Sequence, residues 1–80
     1  MSTEGIWHIN IPELGMCLHP GMYVKIGRFS NITWFLQHGW FSFSGNREIC
    51  GWYLVNVDNI EDIRPLQRTD LVDIYSVEIQ

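Results

Sequence analysis

Basic residues are scarce in this sequence: five lysines and arginines stand against nine aspartates and glutamates in 80 residues, for a net charge of −4. Proteins that hold the phosphate backbone of nucleic acids take much of their affinity from clustered Lys and Arg. We therefore expect no nucleic-acid partner. The acidic excess lies in the last third, where it predicts either a solvated surface or a face that binds a basic protein. Its members are Asp58, Glu61, Asp62, Asp70, Asp73 and Glu78.

Long apolar runs are also missing. Charged residues, Gly or His interrupt every run well short of the ~20 residues that a transmembrane helix needs. The start of the chain, residues 1–5, is polar and has no basic region followed by an apolar stretch, as a signal peptide would. The sequence thus predicts a soluble, cytoplasmic protein with no membrane partner.

Cysteine is limited to Cys17 and Cys50. Together with His19, and with His8 or His38, they could supply the four ligands of a Cys₂His₂ zinc site. Structural zinc sites, however, usually have two pairs of closely spaced ligands, and this sequence has only one such pair, Cys17-x-His19. We predict no metal, no cofactor and, in a cytoplasmic protein, no disulfide.

Catalytic motifs are absent as well. The sequence contains no G-x-S-x-G elbow, no G-x-G-x-x-G loop and no Walker-type phosphate loop. Cys17 and His19 lie two residues apart, but nothing in the pattern supplies an oxyanion hole or an orienting acid. We expect a protein that is not an enzyme.

Aromatic residues are what the chain does have, at 14% of the composition, within 46% hydrophobic residues. They crowd the segment from Phe29 to Tyr53, where they alternate with Ser, Thr, Gln and Gly, a pattern that favours strands over helices. Residues 1–80 are predicted to form one small β domain with a core rich enough to fold without disulfides.

The periodicity predicts the following elements. A loop covers residues 12–21, a bend falls at His38-Gly39, a hairpin loop at Ser44–Arg47, and a loop at 56–62 leads into an extended Arg64-Pro65. Thr69-Asp70 is expected to cap a short helical or 3₁₀ turn over Leu71 and Val72, and a helix over 70–79 is the alternative to a last strand. The predicted strands are 6–11, 22–29, 32–37, 40–43, 48–55 and 74–79.

Five or six short strands at this spacing predict an all-β fold, β-rich with one short helical turn, built as a small barrel or a two-layer sheet. Two segments resemble the layout of SH3-like barrels. The first is Leu18-x-x-Gly21-Met22-x-Val24-x-Ile26, which opens a strand, and the second is Pro65-Leu66 with Thr69-Asp70-Leu71 before the last strand. The resemblance implies an SH3-like fold and no particular function.

Strand alternation places Trp34 and Phe35 on opposite faces. The same holds for Trp40 and Phe41, and for Trp52 and Tyr53. A domain of this size cannot bury both faces, so some rings must be exposed or covered by a partner. We expect a non-enzymatic protein-binding module that can self-associate as a homodimer, of the kind found among phage and mobile-element accessory proteins that inhibit a host enzyme or defence complex. The candidate binding residues are Tyr23, Arg28, Trp34, Trp40, Arg47, Trp52, Tyr53, Asp58, Glu61 and Asp62.

Two other classes stay open. An aromatic pocket would serve a small-molecule binder that stacks a nucleotide or related metabolite. A structural or assembly component would form a large closed oligomer instead.

Overall fold

The fold is known from a computed structural model, which describes residues 8–43 and 47–78. Within those ranges the chain forms seven strands and two 3₁₀ turns, and it has no helix long and apolar enough to span a membrane. The first 3₁₀ turn is Pro12–Leu14 and the second is Arg68–Val72. The strands are β1 (Ile9–Ile11), β2 (Met16–Leu18), β3 (Tyr23–Ile26), β4 (Trp34–Phe43), β5 (Arg47–Asn56), β6 (Asn59–Pro65) and β7 (Ile74–Val77).

The strands form two antiparallel sheets. β1 and β2 make a two-stranded sheet, and the other five follow the order β6-β5-β4-β3-β7. β4 is therefore the central strand of the large sheet, while β6 and β7 are its edges. The all-β prediction is confirmed in its two-sheet form; the strands described do not close into a barrel.

The core lies between the two sheets. Ile11 and Leu18 of the small sheet pack against Val24, Leu36 and Leu54 of the large one, and the last four are less than 2% exposed. Trp34 and Ile74 complete this buried cluster, and Leu66 and Leu71, near the second 3₁₀ turn, pack against it. One face of the large sheet is thus covered by β1, β2 and the second 3₁₀ turn.

The prediction of an uninterrupted loop over residues 12–21 is wrong. Gly15, at φ 62°, ends the first 3₁₀ turn in the left-handed conformation, and the chain then runs back as β2, with Ile9 opposite Leu18. A three-residue strand between Gly15 and Pro20 is too short to show alternation in the sequence. The predicted first strand, 6–11, begins partly outside the described residues; within them β1 covers Ile9–Ile11.

The loop predicted at 56–62 is also wrong, because β6 begins at Asn59. Only Val57 and Asp58 form the turn, in which the Asp58 amide donates to the Asn56 side-chain oxygen at 2.9 Å. Asn side chains stabilise turns in this way. The first four residues of β6 are exposed, so this edge strand has no buried side chains to give it an alternating pattern.

The bend at His38-Gly39 does not divide the third and fourth predicted strands. β4 continues through Gly39, which pairs with Gly51 in an unbroken ladder of ten residue pairs with β5. Gly39 has a φ of 152°, a value that L side chains rarely adopt, so the glycine accommodates the distortion within the strand.

Other predicted elements are close to those observed. The strands predicted at 22–29 and 48–55 appear as β3 and β5, and the short turn over Leu71 and Val72 is the second 3₁₀ turn. β7 covers Ile74–Val77, so the alternative helix over 70–79 is wrong within the described residues. The predicted hairpin loop, at 44–47, lies outside the described residues except for Arg47, which pairs with Phe43.

Candidate functional site

The large sheet has a second face, opposite the core. The ladders put Tyr23 opposite Phe35, Phe35 opposite Val55, and Val55 opposite Ile63, so these four side chains share that face. We call it the outer face; its apolar residues include Tyr23, Phe35, Phe41, Ile49, Tyr53, Val55, Ile63, Tyr75 and Val77. No member of the buried core cluster belongs to it, and no described strand or 3₁₀ turn forms a layer over it.

Tyr23 and Phe35 form one aromatic pair on the outer face. They are direct cross-strand partners on β3 and β4, and their ring centroids lie 5.1 Å apart with a 42° tilt. Both side chains are partly buried. Directly opposed aromatic pairs stabilise an antiparallel ladder, so this pair also strengthens the contact between the two strands.

Phe41 and Tyr53 form the second pair, stacked at 4.5 Å with an interplanar angle of 25°. They are not direct partners: Tyr53 pairs with Gln37 and Phe41 with Ile49. Between them lies the Gly39–Gly51 pair, which contributes no side chain, so the two rings approach each other across it. Phe41 is only 6% exposed, although it lies outside the core cluster.

Trp34 belongs to the core rather than to a surface. It is 6% exposed, and the Arg64 guanidinium lies over its ring at 5.1 Å from the centroid. Trp52 is partly buried against the same core and contacts the His38 ring edge-on at 5.1 Å. The Trp34 ring is therefore not free to stack a ligand in this conformation.

Trp40 is the exposed tryptophan of the candidate set, with 69% of its surface accessible. It lies on the core side of the sheet but beyond the covering layer, opposite Cys50. Ile49, 36% exposed, pairs with Phe41 and so lies on the outer face at this end of the hairpin. Trp40 and Ile49 therefore do not form one apolar surface, although both are exposed at the same end of the β4–β5 hairpin.

The acidic candidates lie at the opposite end of the same hairpin. Asp58 is in the β5–β6 turn and Glu61 and Asp62 follow it, all exposed; Asp62 accepts a hydrogen bond from the Asn56 side chain at 3.1 Å. Asn56 pairs with Trp34, six residues from Trp40 and so about 20 Å along the strand. The acids and the exposed tryptophan do not form a single patch.

Arg28 lies elsewhere again, in a groove beside β7. This groove, about 310 Å³, is lined by Leu14, Arg28 and residues 72–75. A neighbouring groove of about 380 Å³ shares Leu14 and Val72 and continues between the two 3₁₀ turns. Tyr75 is the aromatic residue of these linings, so neither groove gathers the tryptophans that a base-stacking pocket would need.

The residues considered for zinc do not converge. Cys17 is on β2 and Cys50 on β5, both exposed and reduced. Among residues 8–43 and 47–78, no three His, Cys, Asp or Glu side chains come together as a metal site.

Sequence reasoning missed part of the outer face, since Phe35, Phe41, Val55 and Ile63 were not among the candidates. The signal that identifies Phe35 and Val55 is the alternation of β4 and β5. Ile63 carries no comparable signal, because β6 does not alternate. Comparisons with models of protein families, with curated proteins and with solved structures give no match.

Proposed function

We propose that this chain is a non-enzymatic protein-binding module whose interface is the outer face of the large sheet. The observation that supports the proposal is the composition of that face, which carries aromatic and aliphatic side chains from all five strands and has no covering strand or 3₁₀ turn among the described residues. An antiparallel sheet with one face on the core ordinarily turns polar side chains outward. Apolar faces of this kind mark contact surfaces.

The kind of residue supports a protein partner. Tyr23 and Tyr53 combine a large apolar ring with a hydroxyl, and tyrosine is among the residues that most often carry binding energy at protein interfaces. Each is held by a neighbouring ring, Phe35 or Phe41, so little side-chain freedom is lost on binding. Lys25 and Gln37 lie on the same face, and give it polar positions for orienting a partner.

The acidic turn contributes to the same proposal. Asp58 and Glu61 are exposed at one end of the sheet and would draw a basic partner through long-range attraction. Binding should then weaken as salt is added. An accessory protein of phage or mobile-element type, which inhibits a host enzyme or defence complex, is the specific class that we propose within this function.

Site-specific photo-crosslinking in the cell tests the proposal. The photoreactive analogue benzoylphenylalanine replaces Tyr23 or Tyr53 on the outer face, and Phe29 as the matched control. Phe29 is 90% exposed but lies in the loop after β3, away from the sheet. We expect discrete adducts from positions 23 and 53 and none from 29, with the adduct mass identifying the partner.

Two results would overturn the proposal: no adduct from either sheet position, or equal adducts from all three. If every adduct weighs twice the chain, the partner is a second copy and the inhibitor class is wrong. The small-molecule alternative makes a different prediction, in which a free nucleotide quenches tryptophan fluorescence of the purified protein.

A further inference from the structure

Lys25 is the only lysine of the chain, and it lies on the outer face of the large sheet. It follows Val24, which is fully buried in the core, and it pairs with Tyr75, the neighbour of the buried Ile74. Since successive side chains of a strand point to opposite sides of the sheet, Lys25 and Tyr75 both point away from the core. The ammonium group therefore belongs to the surface that we propose as the interface.

The position of Lys25 within the sheet limits its contact with water. β3 lies between β4 and β7, so Lys25 is on an inner strand rather than at an edge. Tyr75 is directly across from it on β7, and Tyr23, two residues earlier on β3, shares its face. The Lys25 side chain is partly buried. A partner that covers this face would remove much of the remaining water from the ammonium group.

No carboxylate forms an ion pair with Lys25 in the part of the chain that the structure describes, where the only ion pair joins Arg64 to Asp70. At the strand positions that the ladders place on the outer face, the charged residues are Lys25 and Arg47, and neither Asp nor Glu occurs. Asp73, which precedes β7, is exposed and forms no ion pair with the lysine. The charge of Lys25 is thus not balanced by the face on which it lies.

We propose that the protein bound at the outer face places a carboxylate, from an Asp or Glu side chain, against Lys25. The inference rests on the proposed function and deepens it by naming a chemical group that the partner presents. An ammonium group is compact and strongly hydrated, and burying it without a counter-charge is costly. A carboxylate in contact with Lys25 offsets that cost, whereas an apolar surface of the same shape does not.

This requirement and the acidic turn together describe a partner with charges of both signs. Asp58 and Glu61 attract basic groups from a distance, at the β5–β6 end of the sheet. Lys25 is on β3, three strands from β6, or about 14 Å across the sheet. A partner whose surface is uniformly basic would meet a like charge there, so Lys25 discriminates among basic partners.

Carbodiimide coupling tests the inference directly. The reagent joins an amine to a carboxylate only where the two are in contact, and Lys25 is the only side-chain amine of the chain. The full chain is treated in complex with the partner that the photo-adduct from position 53 identifies, and the linked peptides are mapped by mass spectrometry. We expect a link between Lys25 and one Asp or Glu of the partner. Lys25→Arg keeps the charge, so it should still bind but give no such link.

Affinity measurements distinguish a required contact from an incidental one. Lys25→Met should raise the Kd of the complex at least tenfold, because it leaves the partner's carboxylate without a counter-charge. Arg68→Met, at an exposed position of the second 3₁₀ turn, is the matched control and should leave the Kd unchanged. Lys25→Glu should weaken binding further, and replacing the mapped carboxylate of the partner with lysine should restore binding to Lys25→Glu.

The outcomes separate this inference from the proposed function. Photo-adducts from positions 23 and 53 without a carbodiimide link at Lys25 would overturn the inference and leave the proposed function standing. The same holds for a folded Lys25→Met variant that binds as tightly as the wild type. Absence of the photo-adducts would overturn both.

Discussion

Asp70 holds the guanidinium of Arg64 with both carboxylate oxygens, at 3.0 and 3.2 Å. One of these oxygens also accepts the Gln67 amide at 2.8 Å, at the start of the second 3₁₀ turn. Arg64 in turn lies over the Trp34 ring. A single carboxylate therefore fastens the 3₁₀ turn to β6 and, through the arginine, to the core.

Replacing Asp70 should destabilise the fold more than an ordinary surface change does. Asp70→Ala removes the acceptor of the Gln67 amide and leaves Arg64, whose side chain is 30% exposed, without its ion pair. We expect the free energy of unfolding to fall by about 1–3 kcal/mol. Urea unfolding followed by tryptophan fluorescence measures it. Asp73→Ala, three residues along and exposed, is the control; an equal loss in both variants would show that the Asp70 contacts contribute nothing.

Arg64→Lys tests the geometry of the Arg64–Asp70 contact while keeping the charge constant. Lysine cannot make the two-point contact with Asp70 or lay a planar group on Trp34, so we expect a loss of about 1 kcal/mol in unfolding free energy. Arg68→Lys, at an exposed position of the second 3₁₀ turn, should have no measurable effect. Equal stability of Arg64→Lys and the wild type would mean that charge alone accounts for the contact.

The sequence predicts some strands better than others for physical reasons. β3 and β5 each contain one buried side chain, Val24 and Leu54, between less buried ones, so the contrast between inward and outward positions is visible. β6 has no such contrast because it is an edge, and β2 is too short for a period to show. The prediction that the strand is interrupted at Gly39 was wrong for another reason. Glycine favours a bend locally, but pairing with Gly51 keeps the strand continuous.

The candidate site, too, could be predicted from the sequence only in part. Alternation places Trp34 and Phe35 on opposite faces, and the structure agrees, but it cannot say which face is covered. That depends on Ile11 of β1 and Leu18 of β2 joining Trp34 in one buried cluster, which brings together residues far apart in sequence. The exposure of Trp40, on the same side as Trp34, arises because the covering layer ends before the hairpin does.

The glycine pair in the β4–β5 ladder gives a test with a built-in control. Gly39 has φ 152°, whereas Gly51 has no such constraint, and a β-carbon at either position would contact nothing within 4 Å. We expect Gly39→Ala to lose about 1–2 kcal/mol from backbone strain. Gly51→Ala should be neutral or gain about 0.5 kcal/mol, because alanine restricts the unfolded chain. Thermal unfolding by circular dichroism compares them, and a larger loss at Gly51 would contradict the backbone explanation.

Trp40 and Phe41 are adjacent aromatic residues with opposite roles. Phe41 is 6% exposed and stacked on Tyr53, while Trp40 is 69% exposed. Phe41→Ala should lower the free energy of unfolding by about 3 kcal/mol, since it removes a buried ring from a packed pair. Trp40→Ala should change it by less than about 0.5 kcal/mol, as exposed positions do. Urea unfolding followed by far-UV circular dichroism measures both variants without depending on the tryptophan that one of them lacks. If Trp40→Ala proves as damaging as Phe41→Ala, the hairpin tip packs against something in the folded protein, and Trp40 is then part of a second core rather than a surface residue.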